Sequence, residues 1–251
     1  MTASIVLARR ALLEAWRTPE ALFPTIFIPL FFLVVNVGQA GKIFPSSTPF
    51  LDGQNYGAFQ LPASILLAAS FGSAALYLVE EIEGGYFDKL RATPVTRTSL
   101  VTGRLLAEGA KNLVITFLIV LLSLAFGITI KSGPAGFVLL LLLAAGWAMV
   151  FTGFMQLIAL KTRSAAATNS GSLIFFPLLF LTPNFVPRDM LTRPMEIAAT
   201  LNPVTYILEG LRGLILEDSI PWSTTGKGFL VVVVSGAIVL ALNALVMRNY
   251  D

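Results

Sequence analysis

Residues 132–160 read SGPAGFVLLLLLAAGWAMVFTGFMQLIAL, a run without one Asp, Glu, Lys or Arg. A helix of about 20 apolar residues crosses the hydrocarbon core of a bilayer, so this stretch is long enough to span it. Five more charge-free runs lie outward from it, at 21–41, 53–79, 112–130, 164–187 and 228–247. A shorter one, 197–208, holds Asn202 and Pro203 and is too short to cross; it reads as re-entrant or interfacial. The count predicts an all-α membrane protein with six transmembrane helices. Composition agrees. The chain is 56% hydrophobic and 12% charged, with a mean hydropathy of +0.81, whereas soluble domains are about a quarter charged. A globule of this size still needs a polar surface.

An even number of spans puts both ends on one side, and the positive-inside rule selects which. With both ends inside, the inner segments hold Arg9, Arg10, Arg17, Lys89, Arg91, Arg97, Arg104, Lys111, Lys161, Arg163 and Arg248. The outer ones hold only Lys42, Lys131, Arg188, Arg193, Arg212 and Lys227. The expected topology is therefore N-in/C-in, in a cell membrane of the bacterial inner or plasma membrane type. The chain reads as one membrane domain, 1–251, with residues 1–20 as an interfacial helix and 21–251 as the six-span core. The first apolar run is expected to be retained, because Glu14 and Glu20 interrupt its basic flank and its apolar part is too long for a signal peptide.

Over residues 2–18, a helical wheel puts Ile5, Ala8, Leu12, Ala15 and Trp16 on one face and Arg10, Glu14 and Arg17 on another, with Leu7 misplaced on the polar side. The pattern predicts a helix lying in the inner interface, with Trp16 at headgroup depth. Pro24 and Pro29 are expected to kink the first span or mark its first turn. The small residues of the second span, such as Ala63, Ser64, Ala68, Ala69 and Ser70, predict a helix contact. Pro177 and Pro183 predict a broken or short fifth span.

Several chemistries are excluded. The chain has no Cys and no His, so disulfides, thiol nucleophiles and histidine metal sites are absent. The Gly-Lys pairs at 41–42 and 226–227 lack the spacing of a phosphate-binding loop. No carboxylate falls at the middle of a predicted span; Glu80, Glu81 and Glu108 sit at the borders. No catalytic constellation converges, so the chain itself is not expected to be an enzyme. A net charge of +3, scattered along the chain, does not suit nucleic acid and does suit loops facing anionic lipid.

The charges are not spread evenly. Residues 80–100, EEIEGGYFDKLRATPVTRTSL, concentrate Glu80, Glu81, Glu83, Asp88, Lys89, Arg91 and Arg97. Gly84 and Gly85 allow a turn, YFDKLRA makes one or two helical turns, and Thr93-Pro94 stops it. The outcome is a short amphipathic helix between spans two and three, lying across the inner surface. Between spans five and six, Asn202 before Pro203 fits an N-cap with Pro at the first helical position. Ile207, Leu208, Leu211, Leu214 and Ile215 form an apolar stripe there, with Glu209 and Arg212 on another face. Half-helices dipping into the outer leaflet, or a surface helix pair, both fit this pattern.

Two stretches resemble the ABC-2 type transporter permeases. VEEIEGGYFDKLRATPVTRTSLVTGRLL is similar to that family's loop after the second span, through Glu81–Gly85, Leu90, Pro94-Val95, Arg97, Gly103 and Leu105-Leu106. LNPVTYILEGLRGLI is similar to its motif before the last span, through Leu201, Asn202, Pro203, Tyr206, Glu209 and Arg212. Motif order and span count match together over nearly the whole chain. The resemblance implies a permease, most like the daunorubicin-resistance type, that forms a homodimer and exports a drug-like, amphipathic or hydrophobic substrate. ATP and Mg would bind a separate cytosolic ATPase, with no cofactor on this chain. Gly84–Thr93 would be the coupling helix: Phe87 and Leu90 pack into a groove on the ATPase, while Asp88, Lys89 and Arg91 set its orientation. The N-terminal helix would also touch the ATPase, and the loop before span six would form re-entrant external helices and a gate. A lipid-linked glycan exporter of the same family is the near alternative. A membrane scaffold or sensor docking a cytosolic partner is the more distant one.

Overall fold

A computed structural model describes residues 3–17, 19–71, 74–93 and 96–248. Among them there are helices and no strands. In chain order they are α1 (Ala3–Arg17), α2 (Pro19–Ala40), α3 (Tyr56–Ser70), α4 (Ala74–Glu83), α5 (Tyr86–Arg91), α6 (Arg97–Leu124), α7 (Gly133–Thr162), α8 (Ala165–Ser172), α9 (Phe175–Phe180), α10 (Arg193–Leu201), α11 (Pro203–Leu216) and α12 (Trp222–Arg248).

Among the described residues, five segments are long and apolar enough to cross a membrane: Leu22–Ala40, Tyr56–Glu83, Thr98–Leu124, Gly133–Thr162 and Trp222–Arg248. The fifth predicted span differs. Residues 164–187 yield only the short apolar stretch Ala165–Phe180, divided between α8 and α9 by a turn at Leu173 and Ile174. Pro177 accounts for the break, because its ring has no N–H to offer the Leu173 carbonyl four residues earlier and clashes with it. Pro24 and Pro29, by contrast, are both accommodated inside a continuous α2.

Two helices fill the centre. Every residue of α3 is buried, and the small residues of this stretch make a helix contact on all sides. α11 is buried from Ile207 through Leu216 except at Glu209 and packs against α3, α7 and α12. α12 lies at the periphery, with only Thr225, Gly228, Asn243 and Met247 buried. Its grip on α7 comes from two glycines seven residues apart. A Cβ on Gly146 would lie 2.7 Å from Val232, and one on Gly153 would lie 2.5 Å from Val239. Asn243 adds a hydrogen bond from Nδ2 to the Gly153 carbonyl at 2.9 Å. Close backbone approach combined with a polar tie is how helices associate where no water drives them together.

Candidate functional site

The charged loop is ordered by its glycines. Gly84 N–H donates to the Glu80 carbonyl at 2.8 Å and Gly85 N–H to the Ile82 carbonyl at 3.1 Å. Gly85 takes a left-handed φ of 68°, which a residue with Cβ enters only with strain. The chain then turns into α5, which ends where the Thr93 hydroxyl bonds the Leu90 carbonyl at 2.6 Å. Pro94 lies outside the described residues, and of Arg91 and Arg97 only the backbone is described.

The orientation of α5 corrects the expectation for its apolar side. Phe87 is 2% exposed and packs into a cluster of this chain's own residues, with Leu78, Val79, Leu100, Leu105, Ala159 and Met247 among them. Leu90 leans on the same cluster. Phe87 thus anchors α5 to this chain's own bundle, and Leu90 is half-buried beside it. The exposed edge consists of Tyr86, Asp88 and Lys89.

Glu81, expected as part of the ATPase-contacting loop, is turned into this chain's own bundle. It is buried and ion-paired with Arg104 on α6 and, at 2.7 Å, with Arg10 on α1. The Arg10 guanidinium also lies over the Tyr86 ring, 4.4 Å from its centroid. α1 therefore does more than lie in an interface. Leu7, the residue misplaced on the wheel, faces α6, where a Cβ on Gly103 would lie 2.8 Å from its own Cβ. Arg10 turns inward beside it, while Ile5, Val6 and Leu13 are exposed. The Trp16 side chain, expected at headgroup depth, lies outside the described residues. Further along α6, Glu108 and Lys111 form a buried pair at 2.6 Å. The three-residue spacing was the available sign of that pair.

At the opposite end of the bundle, Asn202, Tyr206, Glu209 and Arg212 are spaced four, three and three apart and share one face of α11. Asn202 caps the helix, its Oδ1 accepting from Val204 N–H at 3.0 Å, with Pro203 at the first position. Its Nδ2 donates to the Leu178 carbonyl at 2.5 Å. Tyr206 donates its hydroxyl to the Thr200 carbonyl at 2.8 Å. Glu209 and Arg212 do not pair with each other. Glu209 accepts both Nε and Nη2 of Arg188, at 3.0 and 2.8 Å, and Arg188 lies 5.4 Å over the Tyr206 ring.

Arg212 is buried with no ion-pair partner among the described residues. It donates to the carbonyls of Phe59, Pro183 and Asn184 at 3.3, 2.9 and 3.3 Å, and its guanidinium lies 3.5 Å from the Phe59 ring centroid. Carbonyl dipoles and a ring face take the place of a counter-ion. Gln60, fully buried on α3, donates to the same Asn184 carbonyl at 3.0 Å. At the end of α11, the pKa of the exposed Glu217 carboxyl is raised from its ordinary value, first by partial desolvation and then by the Asp52 charge.

Residues 2–216 match the family model described as ABC-2 type transporter. The chain belongs to the ABC-2 type transporter family. This ABC-2 chain is 25% identical, over 96% of its length and 83% of the relative's, to the daunorubicin resistance ABC transporter permease protein DrrB1 of Streptomyces coeruleorubidus. It is 28% identical to a putative transport permease, ycf38, of Cyanophora paradoxa, over 85% of this chain and 74% of that one. A ycf38 permease of Porphyra purpurea is 27% identical over 82% of this chain and 71% of its own. An ABC-2 chain with several apolar helices is a multi-pass membrane protein with a transport-permease role.

Proposed function

We propose that this chain is the membrane half of an ATP-driven exporter. ATP and Mg would bind and react on a separate cytosolic subunit, and an amphipathic or hydrophobic substrate would leave the cell along a path formed with a second copy of the permease. The observation that carries this reading is the mounting of α5. Phe87 fixes it to spans two and three while Tyr86, Asp88 and Lys89 remain outward. A short helix rigidly tied to two spans transmits a push on its exposed edge into both. An ATPase shifts the equilibrium if it contacts that edge differently in its two states.

The remaining geometry is consistent with this role. α8 and α9 together serve as a broken sixth crossing, which gives N-in/C-in with α5 inside and α11 at the outer end. α11 reads as re-entrant: a Cβ on Gly136 would lie 3.6 Å from Leu214 and one on Gly210 would lie 3.2 Å from Leu143. Leu143 lies about 15 Å along α7 from its start, at 1.5 Å per residue. An aromatic ladder, Phe23, Phe27 and Phe31, is exposed along α2 and suits a hydrophobic substrate or the second copy.

The test is co-purification with a candidate ABC ATPase subunit expressed together with this chain. The triple variant Tyr86→Ala, Asp88→Lys, Lys89→Glu alters the exposed edge and leaves Phe87 and Leu90 in place. Loss of the ATPase from a normally inserted variant is expected. Equal recovery would place docking elsewhere and sink the coupling assignment. Substrate accumulation in inside-out vesicles with ATP then tests the outward direction.

A further inference from the structure

The four polar residues on the face of α11 have partners within one short segment, residues 178–188, or pack against a residue that does. Asn202 takes the Leu178 carbonyl. Arg212 takes those of Pro183 and Asn184. Glu209 takes the Arg188 guanidinium, with the Tyr206 ring beneath it. α3 assists from the other side, through Gln60 to the Asn184 carbonyl and Tyr56 to the Phe185 carbonyl at 2.8 Å.

This segment is the last turn of α9 and the chain that follows it, and the last carbonyls of a helix have no intrahelical partners. Donors on α3 and α11 supply them. Lateral packing of α9 is slight by comparison. Phe175 and Leu179 are buried, whereas Leu173, Ile174, Phe176, Phe180 and Leu181 are exposed. The turn at Leu173–Ile174 separates α9 from α8, and α8 is packed against α7 through Gly171 and Ile158. One group opposes the arrangement: the Asn184 side-chain amide is buried with neither its oxygen nor its nitrogen bonded, an unfavourable state for a polar group.

We propose that the polar face of α11 is a clamp on residues 178–188, and that Asn202, Glu209 and Arg212 are positioning residues holding the far half of the broken segment against the bundle. The clamp has two parts. Asn202 and Arg212 form a buried inner grip, and the Arg188–Glu209 pair forms a rim grip, its side chains 28% and 27% exposed. The motif is thus a device for holding chain and not a ligand site. The clamp stands on geometry alone, and its bearing on export rests on the transport reading above.

Hydrogen exchange of the full chain in lipid nanodiscs tests it. Arg188→Glu and Glu209→Arg each set two like charges together at the rim and are expected to speed exchange several-fold over 181–188. The double reversal, which restores opposite charges, is expected to return exchange close to wild type. Arg212→Gln is expected to speed it by about tenfold or more, since charged donors to carbonyls are lost. Arg212→Lys should fall between, because it keeps the charge and loses the planar fork. Exchange over α7 checks that the fold is intact. Unchanged exchange at 181–188 in the single reversals, or a double reversal no closer to wild type than the singles, overturns the clamp. If Arg212→Gln does not insert, the half-exposed rim pair still decides the matter. Altered exchange with undiminished export by the complete transporter would keep the clamp and remove its link to transport.

Discussion

Glu81 shows how one buried carboxylate organises its surroundings. It faces Arg104, which is 10% exposed, and Arg10, which is 40% exposed. A buried pair adds little net stability over an apolar replacement, but removing one partner strands the other charge, at about 3–5 kcal/mol. Glu81→Gln is therefore expected to lower thermal stability by about 3 kcal/mol, and Arg10→Gln by clearly less, because the Arg10 end is wet. Thermal unfolding in detergent separates the two; equal losses would contradict the assignment of Glu81 to Arg104. Gln156 poses the opposite case. Both of its amide atoms are buried without a protein partner, and such a group costs roughly 1–3 kcal/mol. Gln156→Met is expected to raise the melting temperature, and a fall would show that the amide is bonded in the membrane. Glu217 adds a pH signature. Its raised pKa means the folded chain holds that proton more tightly than the unfolded one. Stability from this group is then present at low pH and is lost as pH rises from the ordinary carboxylate value through the raised one. Glu217→Gln should flatten that slope in unfolding measured across the window.

At the scale of elements, the two glycine classes of the α7–α12 contact make a paired prediction. A Cβ at Gly153 collides with Val239 at 2.5 Å, while one at Gly236 meets Val150 at an ordinary 3.6 Å. Gly153→Ala should destabilise, whereas Gly236→Ala should be neutral or stabilising by up to about 1 kcal/mol through helix propensity. Melting curves that rank the two variants in the reverse order would disprove the glycine-notch packing. Much of this level was legible in the sequence. Charge-free length located the five segments that are long and apolar enough to cross, and Pro177 marked the break in the remaining one. Gly84-Gly85 placed the turn, and Asn202-Pro203 placed the start of α11 at the right residue. Facing direction was not legible. Phe87 on an amphipathic six-residue helix can turn toward a partner or toward its own bundle, and the choice depends on Leu78, Leu105, Ala159 and Met247, which come from four other helices. Leu7 appeared misplaced for the same reason: a wheel knows only one helix, and Gly103 on α6 is what makes room for it. The partners of Arg212 were invisible too, since they are backbone carbonyls of Phe59, Pro183 and Asn184 and carry no mark in the sequence.

For the whole molecule, the two polar centres occupy opposite ends. The Glu81 cluster binds α1, α4 and α6 at one end, and the α11 clamp binds α3, α9 and the chain beyond at the other. The apolar core of α3, α7 and α11 lies between them. A displacement of α5 thus reaches the far end only through packed helices, and a clamp variant should alter exchange at 181–188 while leaving ATPase recovery intact. The Glu81 cluster also has a bearing on biogenesis. Arg10 emerges from the ribosome first, yet the helix that receives α1 carries Gly103 and Arg104. At roughly 5–20 residues per second, the first helix waits on the order of 5–20 seconds before its seat is made. During that interval Arg10 has Glu81 and Tyr86 within reach but not the α6 surface, so a nascent chain stalled before residue 104 would leave the first helix without its main seat.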